Sequence, residues 1–249
     1  MFARQTPKTV SCTVLNMQRL DKLVAKSSNI SRKDAKNLIK KGEVSVDGKI
    51  MLNCDEKVSE NAKLTVNGKS IEYSEFVYIM LNKPKGVVSA SQGKEKTVID
   101  ILPNDLKRNG LFPAGRLDKN TTGFCLITND GNFAHDILSP KKHVEKVYEA
   151  VLDKPFDETV IKDFESGMTL SGEKLLEAKL VPKPDFYNAE ITIRQGLYHQ
   201  IKRMFKKHGI EVLELKRTKI GGLWLDRSLK EGECKILSKE EIEKIKTRR

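Results

Sequence analysis

An α+β fold in two parts is what the sequence predicts, on three observations. Residues 19–41 have helical apolar spacing and a lopsided basic surface. The short alternating runs that follow are closed by Asp47-Gly48 and Asn67-Gly68, both hairpin dipeptides. From residue 77 onward, β-rich runs alternate with amphipathic helical ones.

The folded part is expected to begin at Met17. Residues 1–16 contain Arg4 and Lys8, several Ser and Thr, and no acid. A transit peptide shares that composition, but a disordered extension before Met17 is the better reading. Leu20, Leu23 and Val24 then fall on one face of a short helix over 19–26. Ser31 is a good N-cap, with Asp34 in the capping-box position. The helix it starts turns Ala35, Leu38 and Ile39 to its apolar side, and Gly42 stands where a left-handed cap is wanted. Arg32, Lys36 and Lys40 recur four residues apart on the other side, beside Lys33 and Lys41. Across 19–41 eight basic residues, Arg19, Lys22 and Lys26 among them, face only Asp21 and Asp34. Solvated helix faces are usually mixed in sign, so this one suits phosphates. Val44-Ser45-Val46 and Leu64-Thr65-Val66 are short strand candidates, and the first domain is expected over 17–66.

Residues 67–75 are polar and read as a linker, with the second domain at 76–249. Its strand candidates are 77–81, 124–128, 145–152, 189–194 and 211–217. Its helix candidates are 131–138, 157–166, 198–208 and 238–246. Lys83-Pro84-Lys85-Gly86 is a turn after the first strand.

Composition narrows the class. The 249 residues are 38% hydrophobic, enough for one large and one small core. Lys and Arg total 46 against 34 Asp and Glu, and a net charge of +12 points to a polyanion such as RNA or DNA. Cys12, Cys54, Cys125 and Cys234 lie far apart, with no C-x-x-C and no His at ligand spacing. That argues against a metal site or a disulfide framework and fits a reducing, cytoplasmic setting. No apolar run approaches the about 20 residues of a membrane span.

Four segments hold the chemistry. Pro113 to Gly123 is a polar loop between apolar runs, with Asp118 close to Arg116. On local pattern alone, an Asx-turn or a surface ion pair is the ordinary use of Asp118. Glu145 to Val151 alternates as a strand and puts Lys146, Tyr148 and Ala150 on one face. Gly196 to Phe205 has Ile201, Met204 and Phe205 at core spacing, with Lys202 and Arg203 off that stripe. His199 has the chemistry of a base but no visible partner, and is left as structural or RNA-contacting. Leu213 to Gly222 is a strand ending in basic residues and two glycines, in which Leu215 is by default a core leucine.

Arg19-Leu20-Asp21-Lys22, Ser31-Arg32 and Gly42-Glu43-Val44-Ser45-Val46-Asp47-Gly48 resemble an S4 domain. The resemblance implies binding to structured RNA by shape and backbone, with Arg19, Arg32, Lys33, Lys36 and Lys40 as contacts. Gly115-Arg116-Leu117-Asp118-Lys119-Asn120-Thr121-Thr122-Gly123 is similar to the signature of pseudouridine synthases of the RsuA and RluA type. That resemblance implies a mixed, mainly antiparallel sheet flanked by helices. It also implies Asp118 as the catalytic carboxylate, and Arg116 as the group that fills the space left by an extruded uridine. By the same resemblance Tyr148 stacks on the base, Lys202 pairs with Asp118, and Leu215 lies against the base. The reaction detaches the base at N1 and rejoins it through C5, and needs no metal or cofactor.

An S4 module before the catalytic domain, with Tyr198-His199-Gln200-Ile201-Lys202-Arg203-Met204, resembles the branch acting on small-subunit 16S rRNA. The expected partner is 16S rRNA or a small-subunit assembly particle, engaged by a monomer. Two alternatives stay open: a synthase for 23S rRNA, and a non-catalytic RNA-binding or assembly factor.

Overall fold

A computed structural model describes residues 17–28, 30–59, 62–71, 76–139, 142 and 144–247. The extension expected over 1–16 therefore lies outside the described residues. The chain divides into two compact units between residues 75 and 76.

The first unit runs β1 (Met17–Arg19), α1 (Leu20–Ser27), α2 (Arg32–Lys40), β2 (Val44–Val46), β3 (Lys49–Ile50), β4 (Lys57–Ser59), β5 (Leu64–Val66) and β6 (Lys69–Ile71). Leu20, Leu23, Val24, Ala35, Ile39, Val44 and Leu64 are wholly buried in one small core. α2 starts as expected, because the Ser31 side chain accepts a hydrogen bond from the Asp34 amide. The Ser31 hydroxyl in turn donates to the Asp34 carboxylate at 2.6 Å. Gly42 follows the helix with φ +75°. Asp47-Gly48 and Asn67-Gly68 both take left-handed conformations, as two-residue hairpins joining antiparallel strands require. Among the described residues the sheet order is β3-β2-β5-β6.

Two expectations need correction here. Arg19, expected to open the helix, belongs to a short strand over 17–19 that pairs with β4, so α1 begins at Leu20. Lys69–Ile71 is not linker: the Asn67-Gly68 turn folds it back on β5, and Ile71 packs against the small core.

The second unit begins with β7 (Tyr78–Lys83), β8 (Phe112–Pro113), β9 (Thr122–Thr128), α3 (Gly131–Leu138), β10 (Lys146–Leu152) and α4 (Glu158–Ser166). It continues with β11 (Thr169–Leu170), β12 (Glu173–Lys174), β13 (Lys179–Pro182), β14 (Asn188–Ile193), α5 (Gln200–Lys207), β15 (Val212–Ile220), β16 (Leu223–Trp224), β17 (Cys234–Ile236) and α6 (Lys239–Ile245). Its main sheet has the order β13-β14-β10-β15-β9-β7-β17 among the described residues. The β9–β15 pair is parallel and its other pairs are antiparallel, so the sheet is mixed.

Both faces of this sheet are covered. β9 is buried along its whole length. Cys125 and Ile127 join one apolar cluster, while Phe124 and Leu126 join the other. That is why the segment reads as a continuous apolar run. The predicted helix over 198–208 starts later, at Gln200, because His199 is left-handed with φ +49°. Among the described residues no helix is long and apolar enough to cross a membrane.

Candidate active site

Backbone pairing positions the Asp118 loop. β8 runs antiparallel to the far end of β9, so the chain must leave the sheet after Pro113 and return at Thr122. Gly115 and Gly123 bracket the excursion with φ +87° and +95°. Gly123 has a second reason to be glycine: it faces Arg217 across the parallel pair, and a Cβ there would meet the Arg217 carbonyl at 2.3 Å.

The residues beside Asp118 are clamped. The Ser89 hydroxyl accepts from the Leu117 amide at 3.1 Å and donates to the Leu117 carbonyl at 2.9 Å. On the other side, the Gly86 amide donates to the Lys119 carbonyl at 2.9 Å. Lys83 is wholly buried, and its ammonium donates to the carbonyls of Pro84, Lys119 and Thr121 at 3.1, 3.1 and 2.9 Å. Burial pushes Lys83 down to about 8, with Asp118 among the weaker influences in the opposite direction. A loop held on both flanks fixes the carboxylate between them.

α5 and the residue that caps it bring two nitrogen side chains. Lys202 Nζ lies 3.7 Å from one Asp118 oxygen, and His199 Nε2 lies 3.4 Å from the other. His199 thus has the partner that its sequence context did not reveal. Its left-handed backbone aims the ring from the start of the helix, and Tyr198 stacks on it at 3.8 Å. A positive φ in a non-glycine residue is uncommon and here falls beside a carboxylate.

The central strands bring the aromatic. Tyr148 on β10 stands opposite Arg217 on β15, because the pairing slips between Val147 and Tyr148 and leaves Thr218 without an opposite residue. Arg217 donates through Nε to the Phe124 carbonyl at 2.7 Å. A cleft of about 550 Å³ is lined by Arg116, Asp118, Lys146, Tyr148, His199 and Arg217, among others. An adjoining hollow of about 60 Å³ adds Lys202 and Leu215 to Arg116, Asp118 and Tyr148. Arg116 is exposed and makes no ion pair among the described residues, so the pair with Asp118 weighed from local pattern does not form. A larger cavity of about 820 Å³ lies between Lys85, Lys183 and Glu214, and of the predicted residues only Leu215 reaches it.

The basic residues predicted in the first unit divide into two groups. Arg19 and Arg32 each reach the wholly buried Asp21 carboxylate at 3.0 Å, and Lys36 lies at 3.8 Å from it. The Arg19 hydrogen bond, with that of Arg32, holds Asp21 down at about 2. Lys33 and Lys40 are exposed on α2. The sequence reading counted Asp21 as a minority acid and missed it as the hub that orients three cations. It also missed Lys83, Ser89, Lys146 and Arg217. The available signal was a lysine closing the apolar run Ile79–Leu81 and another opening the Tyr148 strand.

Comparison with known proteins fits this geometry. Residues 77–207 match the family of RNA pseudouridylate synthases, and residues 18–64 match the S4 domain. The chain belongs to the RNA pseudouridylate synthases. An uncharacterized RNA pseudouridine synthase of Bacillus subtilis is 45% identical, over 90% of this chain and 96% of its own. The ribosomal small subunit pseudouridine synthase A of Haemophilus influenzae is 39% identical over 91% and 99%. The ribosomal large subunit pseudouridine synthase B of Bacillus subtilis is 36% identical over 92% and 96%. A crystal structure of a pseudouridylate synthase aligns with a TM-score of 0.64 at 38% identity, over 91% of this chain and 99% of that one. The pseudouridine synthase therefore carries its S4 domain in the first unit, with the matched catalytic region in the second.

Proposed function

We propose that this synthase converts one uridine of 16S rRNA into pseudouridine, with Asp118 as its catalytic carboxylate. One observation carries the reading: a clamped Asp118, paired with Lys202 and His199, shares a cleft with Tyr148 and Arg116. Isomerisation needs a group that manages the sugar while the base is detached. A carboxylate does this as a nucleophile or as a base toward a ribose proton. Lys202, 3.7 Å from that carboxylate, pairs with it and fixes its rotamer. Tyr148 offers a π-face to the uracil and a hydroxyl for the C5 proton. Arg116, planar and without an ion pair among the described residues, occupies the gap left in the RNA, and Leu215 walls the base pocket.

Arg19, Arg32, Lys33, Lys36 and Lys40 meet RNA phosphates, the first two and Lys36 in an orientation set by Asp21. The small-subunit assignment is supported by the small-subunit name of the 39% identical Haemophilus relative and by the wording of Tyr198 to Met204. The large-subunit relative at 36% supports 23S rRNA as the second reading. Free Cys54, Cys125 and Cys234 suit action in the cytoplasm, where we place the protein as a monomer.

Release of tritium from C5-labelled uridine in unmodified 16S and 23S rRNA, free and in subunit particles, tests the proposal. Release from 16S alone, abolished in Asp118→Asn while RNA binding persists, is the expected result. Release from 23S alone would move the protein to the large-subunit branch. Tight binding with no release from any substrate would return it to the non-catalytic alternative.

A further inference from the structure

Two cations lie buried beside Tyr148 with no carboxylate paired to either among the described residues. Lys146 is 5% exposed and Arg217 is 3% exposed. Lys146 Nζ donates to the Val144 carbonyl at 3.0 Å and to that of Arg194 at 3.5 Å. Arg217 Nη1 lies 3.5 Å from the Tyr148 hydroxyl, and its guanidinium carbon is 6.0 Å from the centre of that ring. Its Nη2 is buried with no hydrogen-bond partner among the described residues.

Both side chains line the cleft that holds Asp118 and Tyr148. Two neighbouring uncompensated charges in an interior are costly, and carbonyl dipoles offset only part of that cost. Burial and, second to it, the charge of Arg217 push Lys146 down to about 8, so it still carries its proton at neutral pH. Such a pair is expected where a negative charge appears later, during the reaction.

The chemistry supplies that charge. When the C1′–N1 bond breaks heterolytically, its electron pair leaves with the base. The ribose is left electron-poor at C1′, to be met by Asp118 as nucleophile or by loss of a ribose proton to it. The detached uracil is an anion spread over N1, O2 and O4. It rejoins C1′ through C5 with an electron pair of its own, releasing the Asp118 carboxylate from C1′ on the first route and taking the ribose proton back from Asp118 on the second; C5 then gives up its proton, and N1 regains one. The sequence balances without any further reactant.

We infer that Lys146 and Arg217 are positioning residues whose fixed positive potential behind Tyr148 stabilises the uracil anion during glycosidic cleavage. The inference rests on the reading of this cleft as the uridine site. The pair acts before the base moves and costs no rearrangement at the moment of cleavage, which is how preorganised charge accelerates a reaction.

The test uses full-length protein and whichever rRNA the wild type modifies, transcribed with uridine or with 5-fluorouridine. Fluorine at C5 makes the leaving base more acidic, so cleavage needs less help from outside. Single-turnover loss of the N-linked nucleoside at the target, read by chromatography after nuclease digestion, reports cleavage in both RNAs. Lys146→Met and Arg217→Met are expected to slow cleavage at uridine by ~100-fold, and at 5-fluorouridine by about tenfold or less. Lys146→Arg and Arg217→Lys should recover part of the loss. Equal slowing on both RNAs, or no recovery with the charge restored, would overturn the inference and leave the pair a structural role. Should Arg217→Met fail to fold, the Lys146 variants alone decide. If wild type cleaves neither rRNA, the reading of the site falls and this inference falls with it.

Discussion

At the scale of single residues, the synthase depends on buried polar groups that hold other residues in place. Lys83 is the clearest case, since its three hydrogen bonds end on the carbonyls around Asp118. In Lys83→Met the shape is kept and those carbonyls lose their donor. Unfolding stability should fall by about 1–3 kcal/mol, and kcat should fall more than KM rises. Thermal unfolding and steady-state kinetics on the same variant check both. Asp21 plays the corresponding part in the S4 unit. Its carboxyl stands at about 2 when folded against 3.8 ordinarily, so a depressed acid is the case at hand. The stabilisation is fully present above about pH 4 and is lost as pH falls through about 2. Asp21→Asn should weaken amide-exchange protection in α1 and α2 above pH 4, and the difference from wild type should close as pH approaches 2. The sequence revealed the Asp118 loop through its wording. It gave no partners for Lys83 or Asp21, because those partners come together only in three dimensions. Arg32, for example, meets Asp21 from the next helix.

At the scale of elements, the parallel pairing of β9 and β15 sets the geometry of the cleft. Gly123 permits it, since a side chain there would strike the backbone of Arg217. Gly123→Ala should cost more than about 4 kcal/mol, in the range reserved for backbone clashes, and should leave little soluble protein. Thermal unfolding of whatever remains soluble gives the number. Most long elements were legible in the sequence, because β9 carries a continuous apolar run, β10 and β14 alternate, and α3 and α4 have good N-caps in Asp130 and Asp157. The illegible ones were short. β1, β4 and β6 have three residues each, too few for periodicity to show, and are held by pairing with partners elsewhere in the first unit. The start of α5 was misplaced for another reason. A left-handed histidine leaves no mark in a sequence whose next residues all suit a helix.

At the scale of the whole molecule, the chain has two units with separate apolar cores, and the proposed function assigns binding to the first and chemistry to the second. Removing residues 17–71 should weaken rRNA binding far more than it slows turnover of a short, saturating RNA. Loss of activity on that RNA would contradict the division. Salt dependence measures the electrostatic share. Lys33→Ala and Lys40→Ala should each lower the slope of log affinity against log salt by about one, and affect all RNA sequences alike.

The order of strands in the main sheet also bears on how the enzyme is made. The last strand of the first unit ends at Ile71, and the pairings of its strands all lie within residues 17–71. Thr122 and Gly123, in contrast, find their parallel partners on β15 only when Lys216 and Arg217 have been synthesised. A nascent chain emerging from its N-terminus can therefore close the S4 unit early, while the centre of the second unit's sheet waits for β15. A chain stopped short of residue 212 would hold RNA and leave its uridines unchanged.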